Sequence, residues 1–275
     1  MSVDLMEGLS LGKDTDYSDQ YCADLLFPIA RAATRENLGL DEKNLPFRGC
    51  DIWNAFELSW LNNKGLPQVA CAEFVFGCDS PAIIESKSFK LYLNSFNQSR
   101  FQNWQQVSAL LADDLSKAAG ATVSVCLHRV DQPIGPLADI WPAECIDQQD
   151  ITIDNYAPSP DLLITSPSSE KVTLVSHLLR SLCPVTGQPD WGSLYIDYDG
   201  PIIDREGLLR YLVGFRRHQE FHEQCVERIY RDIMDRCGPS SLSVYARYVR
   251  RGGLDINPFR SSEKKRVENF RLFRQ

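Results

Sequence analysis

A cysteine and an aspartate lie close together in a loop that prolines and a glycine punctuate. Cys183 and Asp190 stand in the run Ser-Leu-Cys-Pro-Val-Thr-Gly-Gln-Pro-Asp-Trp, residues 181–191. A thiol attacks as its thiolate, and a nearby carboxylate can take the thiol proton and hand it to a substrate atom later. The pattern is compatible with covalent catalysis. It is also compatible with a buried cysteine in a turn, followed by a capping aspartate.

The composition is that of a globular protein. The 275 residues are 43% hydrophobic and 24% charged, which leaves room for two domains of ordinary size. No apolar run approaches the roughly 18 residues that cross a bilayer, and the first residues lack the pattern of a signal peptide. The net charge of −8 argues against general nucleic-acid binding. We therefore expect no membrane and no nucleic-acid partner.

The cysteines and the basic residues are distributed differently along the chain. The nine cysteines are scattered and form no C-x-x-C pair, which predicts a reduced, cytoplasmic protein without a metal site. Basic residues concentrate between Arg247 and Arg274. Such a segment suits an anionic ligand that carries phosphates, and it suits an ordinary solvated surface equally.

A weak internal repeat at a separation of about 119 residues indicates a duplication. Ile83-Ile84-Glu85 aligns with Ile202-Ile203-Asp204, and Tyr92-Leu93 aligns with Tyr211-Leu212. In both copies alternating strand-like runs precede these residues, and helical periodicity followed by another strand comes after them.

The repeat predicts an α+β fold of two tandem modules, each an antiparallel sheet with paired helices on one face. We place the N-terminal module at residues 1–160 and the C-terminal module at 161–275. Residues 1–20 are predicted to form an arm, and 127–170 to connect the two halves. The Asn-Asn-Lys-Gly sequence at 62–65 predicts the turn of a hairpin.

The two halves carry different polar motifs. The first contains Glu85-Ser86-Lys87, and the second contains Cys183, Asp190 and the pair His222-Glu223. A single site must therefore draw on both halves. Glu223 at a helix start could accept two N–H bonds from a guanine-like edge, or it could simply cap the helix. Arg250-Arg251-Gly252-Gly253 could bind a phosphate or form a basic turn.

Four separated motifs, in this order, resemble the 7-cyano-7-deazaguanine reductases, the NADPH-dependent nitrile reductases of queuosine biosynthesis. The resemblance covers about residues 10–275. It rests on Glu-Ser-Lys-Ser-Phe-Lys-Leu-Tyr at 85–92, Cys-Pro-Val-Thr-Gly-Gln-Pro-Asp at 183–190, Phe-His-Glu-Gln-Cys at 221–225 and Arg-Arg-Gly-Gly-Leu-Asp-Ile-Asn-Pro at 250–258.

This resemblance implies two tunnelling-fold modules per chain, a homodimer, and reduction of a nitrile to an amine by NADPH. Cys183 is implied as the nucleophile that forms a thioimide, with Asp190 as proton donor and acceptor. His222 is implied in proton delivery. The other implied contacts divide into substrate-binding residues (Ile84, Glu85, Ser86, His222, Glu223) and NADPH-binding residues (Ser86, Lys87, Arg251, Gly252).

Two other functions remain open at this point. One is a cyclohydrolase-like enzyme of the same fold that acts on GTP or a pterin, chemistry that commonly uses zinc. The other is a non-catalytic module that binds a nucleotide or tRNA. A metal assay and salt-dependent RNA binding would separate these functions from the reductase.

Overall fold

The computed structural model describes residues 17–136 and 142–275. Most of the predicted N-terminal arm, residues 1–16, lies outside the described residues. Within the described ranges, no helix is both long enough and apolar enough to span a bilayer. The described chain is α+β, and in each half two long strands precede two helices, which a further strand follows.

The elements of the first half are β1 (Pro28–Ala30), α1 (Ala32–Arg35), β2 (Arg48–Leu61), β3 (Pro67–Gly77), β4 (Ala82–Ile84), α2 (Ser86–Asn94), α3 (Trp104–Ala119) and β5 (Val123–His128). Those of the second half are β6 (Glu144–Cys145), β7 (Thr165–Ser176), β8 (Arg180–Leu182), β9 (Pro189–Ile203), α4 (Arg205–Val213), α5 (His222–Cys237), β10 (Ser241–Tyr248) and β11 (Leu254–Ser261). Short 3-10 turns occur at Ala23–Leu25, Glu36–Leu38, Pro160–Leu162 and Gly214–Arg217.

One sheet runs through both halves in the order β5-β3-β2-β11-β10-β9-β7-β6. Its neighbours are antiparallel except for the short parallel contact between β6 and β7. The strand β8 pairs with the first residues of β9, and β1 pairs with β4 in a separate small sheet. The fold is therefore two tandem modules, with β11, the last strand of the second, beside β2, the first long strand of the first.

The contact between β2 and β11 joins the modules. Eight successive residues pair, from Leu254 with Ala55 to Ser261 with Arg48. At Gly49 the backbones approach so closely that a Cβ atom would lie 2.0 Å from the carbonyl oxygen of Phe259. Gly49 also has φ +149, so a side chain is excluded both by space and by backbone conformation.

Charged side chains buried beneath this contact link elements from both modules. Arg260 of β11 donates to Asp51 of β2 at 2.7 Å and to Glu227 of α5 at 2.8 Å. Arg35 also pairs with Glu227, at 2.7 Å, and Arg31 pairs with Asp51. Removing one partner of such a buried pair costs about 3–5 kcal/mol, because the other charge is left uncompensated.

Apolar clusters lie on both faces of the sheet. In the first half Phe89 and Leu111 pack on Trp53 and Phe74, and in the second half α4 and α5 cover the strands in the same way. A third cluster lies in part under Phe270, in the segment that follows β11. The central strands are thus covered on both sides, which is why every residue of β11 is buried.

The aligned acidic residues of the repeat occupy equivalent positions. Glu85 is the N-cap of α2, and its carboxylate accepts from the backbone N–H groups of Lys87 and Ser88. Asp204 is the N-cap of α4 and accepts from the N–H of Gly207. Both side chains satisfy N–H groups that have no partner inside the helix. The alignment of Glu85 with Asp204 therefore reflects a shared structural role.

The structure corrects the predicted organisation at three points. β7 begins at Thr165, inside the segment assigned to the connection. β11 follows the basic turn and was not predicted as a strand. Arg247 and Arg260, placed in a basic segment for solvent or ligand, are both 0% exposed. Their charges belong to buried networks, so the basic residues do not form one surface.

Candidate active site

One pocket takes its walls from both modules. The residues that line it are Trp53, Ile83, Ile84, Ser86, Lys90, Cys183, Pro184, Asp190, Phe221, His222, Glu223, Val249, Arg251, Leu254 and Ile256. They come from β2, β4 and α2 on one side, and from the β8–β9 loop, the start of β9, α5, the β10–β11 turn and β11 on the other. The cavity that these residues enclose measures about 30 Å³.

The loop that carries Cys183 closes on itself. Cys183 N–H donates to the carbonyl of Gln188 at 2.9 Å, and Gly187 N–H donates back to the Cys183 carbonyl at 3.0 Å. Gly187 has φ +67, a conformation that favours glycine. These bonds hold the buried Cys183 at the pocket, on the loop predicted from its prolines and glycine.

Asp190 lies at the centre of a set of charges. Its carboxylate contacts Arg251 Nη2 at 2.8 Å and His222 Nε2 at 3.3 Å. Burial by itself would raise the pKa of this carboxyl, but His222, Arg251 and Lys90 together hold the pKa below its usual range. Asp190 is therefore ionised at neutral pH and able to accept a proton.

The ring of His222 is fixed by an aromatic neighbour. Tyr248 lies parallel to it, with the ring centroids 3.8 Å apart and an interplanar angle of 6°. This stacking turns Nε2 toward Asp190, while the buried Nδ1 has no hydrogen-bond partner among the described residues. Sequence reasoning missed Tyr248, because its role depends on where the end of β10 meets the start of α5.

Glu223 is a buried acceptor that the protein leaves unused. Its side chain is almost fully buried, and Oε1 has no hydrogen-bond partner within the described ranges. Burial, reinforced by the charge of Asp51, raises the pKa of the Glu223 carboxyl. Buried acceptors are nearly always bonded, so an open one in a pocket points to a ligand that donates.

The structure brings most of the predicted site residues together. Cys183, Asp190, His222, Glu223, Arg251, Ile84 and Ser86 all line the pocket. Glu85, Lys87 and Gly252 do not. The carboxylate of Glu85 accepts from the backbone N–H groups of Lys87 and Ser88 as the cap of α2.

Lys90 is a further pocket residue that the sequence motif contained but that was given no role. It lies one helical turn after Ser86 on α2, so both face the same side. Burial lowers the pKa of the Lys90 ammonium, and the nearby Arg251 lowers it further. Lys90 and Leu254 also line an adjoining cavity of about 230 Å³, whose wall includes Gly252.

Comparison with known families agrees with this arrangement. A family model described as "Nitrile reductase, 7-cyano-7-deazaguanine-reductase N-term" matches residues 17–127. A second, described as "QueF-like protein", matches residues 189–267. Together the two models cover more than half of the chain. Within the described ranges, no group of three or more histidine, cysteine, aspartate or glutamate side chains is placed to hold a metal ion.

We predict that Glu223→Gln stabilises the ligand-free protein, by about 1–3 kcal/mol, because it removes a charge that is buried without a partner. The raised pKa sets the sign of the pH dependence. The ionised Glu223 carboxylate destabilises the fold at pH values above its folded-state pKa. The stability gained by Glu223→Gln should therefore be present above this pKa, and it should vanish as the pH falls below about 4. Urea unfolding midpoints across this pH range measure the effect.

Glu227→Gln is the matched control, one helical turn further along α5. Burial favours a raised pKa here too, but Arg260 and Arg35 hold the pKa of Glu227 low. This carboxylate stabilises the fold above the usual carboxyl pKa, and its contribution is lost on acidification. Glu227→Gln should therefore lower the urea midpoint at neutral pH. Equal destabilisation by both variants would contradict the assignment of Glu223 as an open acceptor.

Proposed function

The chain belongs to the nitrile reductase family that acts on 7-cyano-7-deazaguanine, and on this premise we propose that Cys183 is the residue that attacks the nitrile. The chain is an NADPH-dependent oxidoreductase that reduces this nitrile to the aminomethyl group, a step of queuosine biosynthesis. This assignment replaces the cyclohydrolase-like alternative. The roles of individual residues are proposed below from the geometry of the pocket.

The proposal rests on one observation, which is that an unbonded carboxylate oxygen and a cysteine thiol lie in the same pocket. Glu223 offers an unbonded carboxylate oxygen in the pocket that also contains Cys183. The deazaguanine ring presents adjacent N–H donors, which a carboxylate can accept as a pair. We assign Glu223 to this edge of the substrate, with His222 Nδ1 as a second polar contact. The ring then lies between the apolar walls formed by Ile84 and Ile256.

The first step is addition of the thiol to the nitrile. Cys183 Sγ forms a bond to the nitrile carbon, one C–N π bond is lost, and the thiol proton moves to the nitrile nitrogen. Asp190 is ionised in the free enzyme, so it can take the proton from Cys183 and deliver it to nitrogen. The product is a thioimide bound to Cys183. Its carbon accepts a hydride more readily than the nitrile carbon does.

Two hydride additions complete the reduction. NADPH held beside Cys183 would supply one hydride to the thioimide carbon, and a second NADPH would supply another after cofactor exchange. Protonation by Asp190 or His222 assists loss of the Cys183 thiolate, which would leave an imine in the pocket. The second hydride and a proton would then give the amine. The covalent bond to Cys183 keeps the first adduct in place, and the contacts of Glu223 retain the imine.

The residues proposed to hold NADPH suit a phosphate-bearing ligand. Ser86 and Arg251 line the pocket, and Lys90 extends it toward Gly252. Gly252 has φ +55, and a Cβ atom there would lie 3.3 Å from Lys90 Cδ. A glycine at this turn therefore keeps the backbone accessible beside two cations. Lys87 follows Ser86 at the start of α2, where the helix dipole favours an anion.

We propose a homodimer assembled through the sheet edges. Within the described ranges β5 has no strand on its outer side, and β6 covers only two residues of β7. Unpaired edges of this kind are templates for pairing with another chain.

We further propose a cytoplasmic location, which is supported by nine cysteines that are all free thiols.

Cys183→Ala should abolish consumption of NADPH upon addition of 7-cyano-7-deazaguanine, because no other group can form the thioimide. Intact-mass spectrometry of the unmodified protein with the nitrile alone should show one covalent adduct, which Cys183→Ala lacks. Cys126→Ala removes an exposed cysteine that does not line the pocket and is the control. Normal turnover by Cys183→Ala would exclude covalent catalysis.

Asp190→Asn should bind the nitrile substrate but form the adduct at least about 100-fold more slowly. A decrease in rate of this size is typical when a general acid–base group is lost. The amide keeps the size of the side chain but cannot accept the thiol proton. Rapid-mixing mass spectrometry measures the adduct rate, and calorimetry measures the affinity. An unchanged adduct rate would remove Asp190 from this step.

Sedimentation equilibrium tests the dimer. We expect twice the chain mass at the concentrations used in the assay, because both outer edges of the sheet are open to pairing. Dilution below the dissociation constant should then yield the monomer reversibly. A monomeric mass at a concentration that supports full turnover would refute the proposed homodimer.

A further inference from the structure

Side chains replace a neighbouring strand at Tyr248, the residue whose ring stacks on His222. The pairing of β10 with β11 ends at Tyr245, three residues earlier. The N–H of Tyr248 donates instead to Asn257 Oδ1 at 3.1 Å, and its carbonyl accepts from Gln275 Nε2 at 2.9 Å. Buried backbone groups need partners of this kind. Two amide side chains therefore hold the end of β10.

Gln275 is buried beyond β11 and contacts three residues at this strand end. Its Oε1 accepts from Arg247 Nε at 3.1 Å, in addition to the bond from Nε2 to the Tyr248 carbonyl. The main-chain oxygen of Gln275 accepts from Arg250 Nη2 at 2.7 Å. The side chain and the backbone of one residue thus bind the same stretch of chain, residues 247–250.

This stretch supports two groups that contact Asp190. The ring of Tyr248 stacks on His222, and His222 Nε2 lies 3.3 Å from the carboxylate of Asp190. Arg250 is followed directly by Arg251, whose Nη2 lies 2.8 Å from the same carboxylate. A displacement at the end of β10 would therefore move both partners of Asp190 together.

We propose that Gln275 is a positioning residue for proton transfer at Asp190. Gln275 does not line the pocket, so it acts through the residues that it holds. Its N–H group fixes the Tyr248 carbonyl, and the ring of Tyr248 keeps His222 Nε2 turned toward Asp190. This inference rests on the proposed function, in which Asp190 takes the proton from Cys183.

The titration of Asp190 provides a readout that a purely structural role would not change. Burial raises the pKa of Asp190, and of the groups that lower this pKa His222 contributes most. The ionised carboxylate is the proton acceptor, so the rate of adduct formation should fall as the pH falls through this pKa. A loosened His222 contact raises the pKa and moves this acidic limb to higher pH. The titratable groups around Asp190 are His222, Arg251, Lys90, Cys225, Tyr248, Cys183 and Glu223.

Gln275→Ala should slow formation of the Cys183 adduct about tenfold at neutral pH, because small displacements of reacting groups lower rates by this factor or more. Rapid-mixing mass spectrometry with 7-cyano-7-deazaguanine gives the rate at each pH and substrate concentration. The limiting rate should fall and the acidic limb should move to higher pH. The half-saturating concentration should stay the same, because the contacts of Glu223 with the substrate are retained.

Gln275→Glu separates the bond to Tyr248 from the other contacts of Gln275. A carboxylate has nearly the same size and can still accept from Arg247, but it has no N–H group to donate to the Tyr248 carbonyl. This variant should therefore slow the adduct rate as Gln275→Ala does. Ser243→Ala is the control, because it removes a 2.8 Å bond between hydroxyls of the same two strands. It should leave the rate and the pH profile unchanged.

Three results would overturn the inference. The first is a normal adduct rate and pH profile in Gln275→Ala. The second is a normal rate in Gln275→Glu, which would reduce Gln275 to an anchor. The third is equal slowing by Ser243→Ala, which would make the effect one of general destabilisation. Urea midpoints establish that each variant is folded. Absence of any Cys183 adduct in the unmodified protein would refute the proposed function, and this inference with it.

Discussion

The rest of the structure depends on the ion pairs made by the fully buried side chain of Arg260. It reaches Asp51 in the first module and Glu227 in the second, under the strands β2 and β11 that join them. The same contact excludes any side chain at Gly49. Because the pocket has Trp53 and Ile84 on one side and Cys183 on the other, its geometry depends on this contact holding the two modules in register. The pocket is thus a property of the joined sheet.

Helix α5 shows how buried charge is divided between stability and function. Glu227 and Glu223 lie one turn apart and both are buried, but only Glu227 has arginine partners. The paired carboxylate fixes the helix to both modules. The unpaired one costs stability until a ligand supplies donors, so this cost becomes binding energy specific to such a ligand. Fixing α5 through Glu227 also fixes the direction in which Glu223 points.

Sequence reasoning was most effective where the relevant interactions are local. The repeat predicted equivalent positions for Glu85 and Asp204, and both are helix N-caps. The motifs predicted a shared site, and the pocket contains most of their residues. The features that the sequence did not predict depend on contacts between residues that are distant in sequence. β11 reads as part of a basic segment until its pairing with β2 is known, and the burial of Arg260 follows from that pairing alone.

The pairing of β8 with β9 explains how Asp190 comes to face the pocket. Successive residues of a strand point to opposite faces, so Asp190 turns into the pocket while Trp191 turns to the opposite, more exposed face. The bond from Val249 N–H to the Trp191 carbonyl, 2.8 Å long, fixes this segment to the strand end that leads to Arg251. A shift of register by one residue would exchange the two faces and turn Asp190 out of the pocket. The position of Asp190 in the pocket is therefore set by backbone pairing, which side-chain motion does not alter.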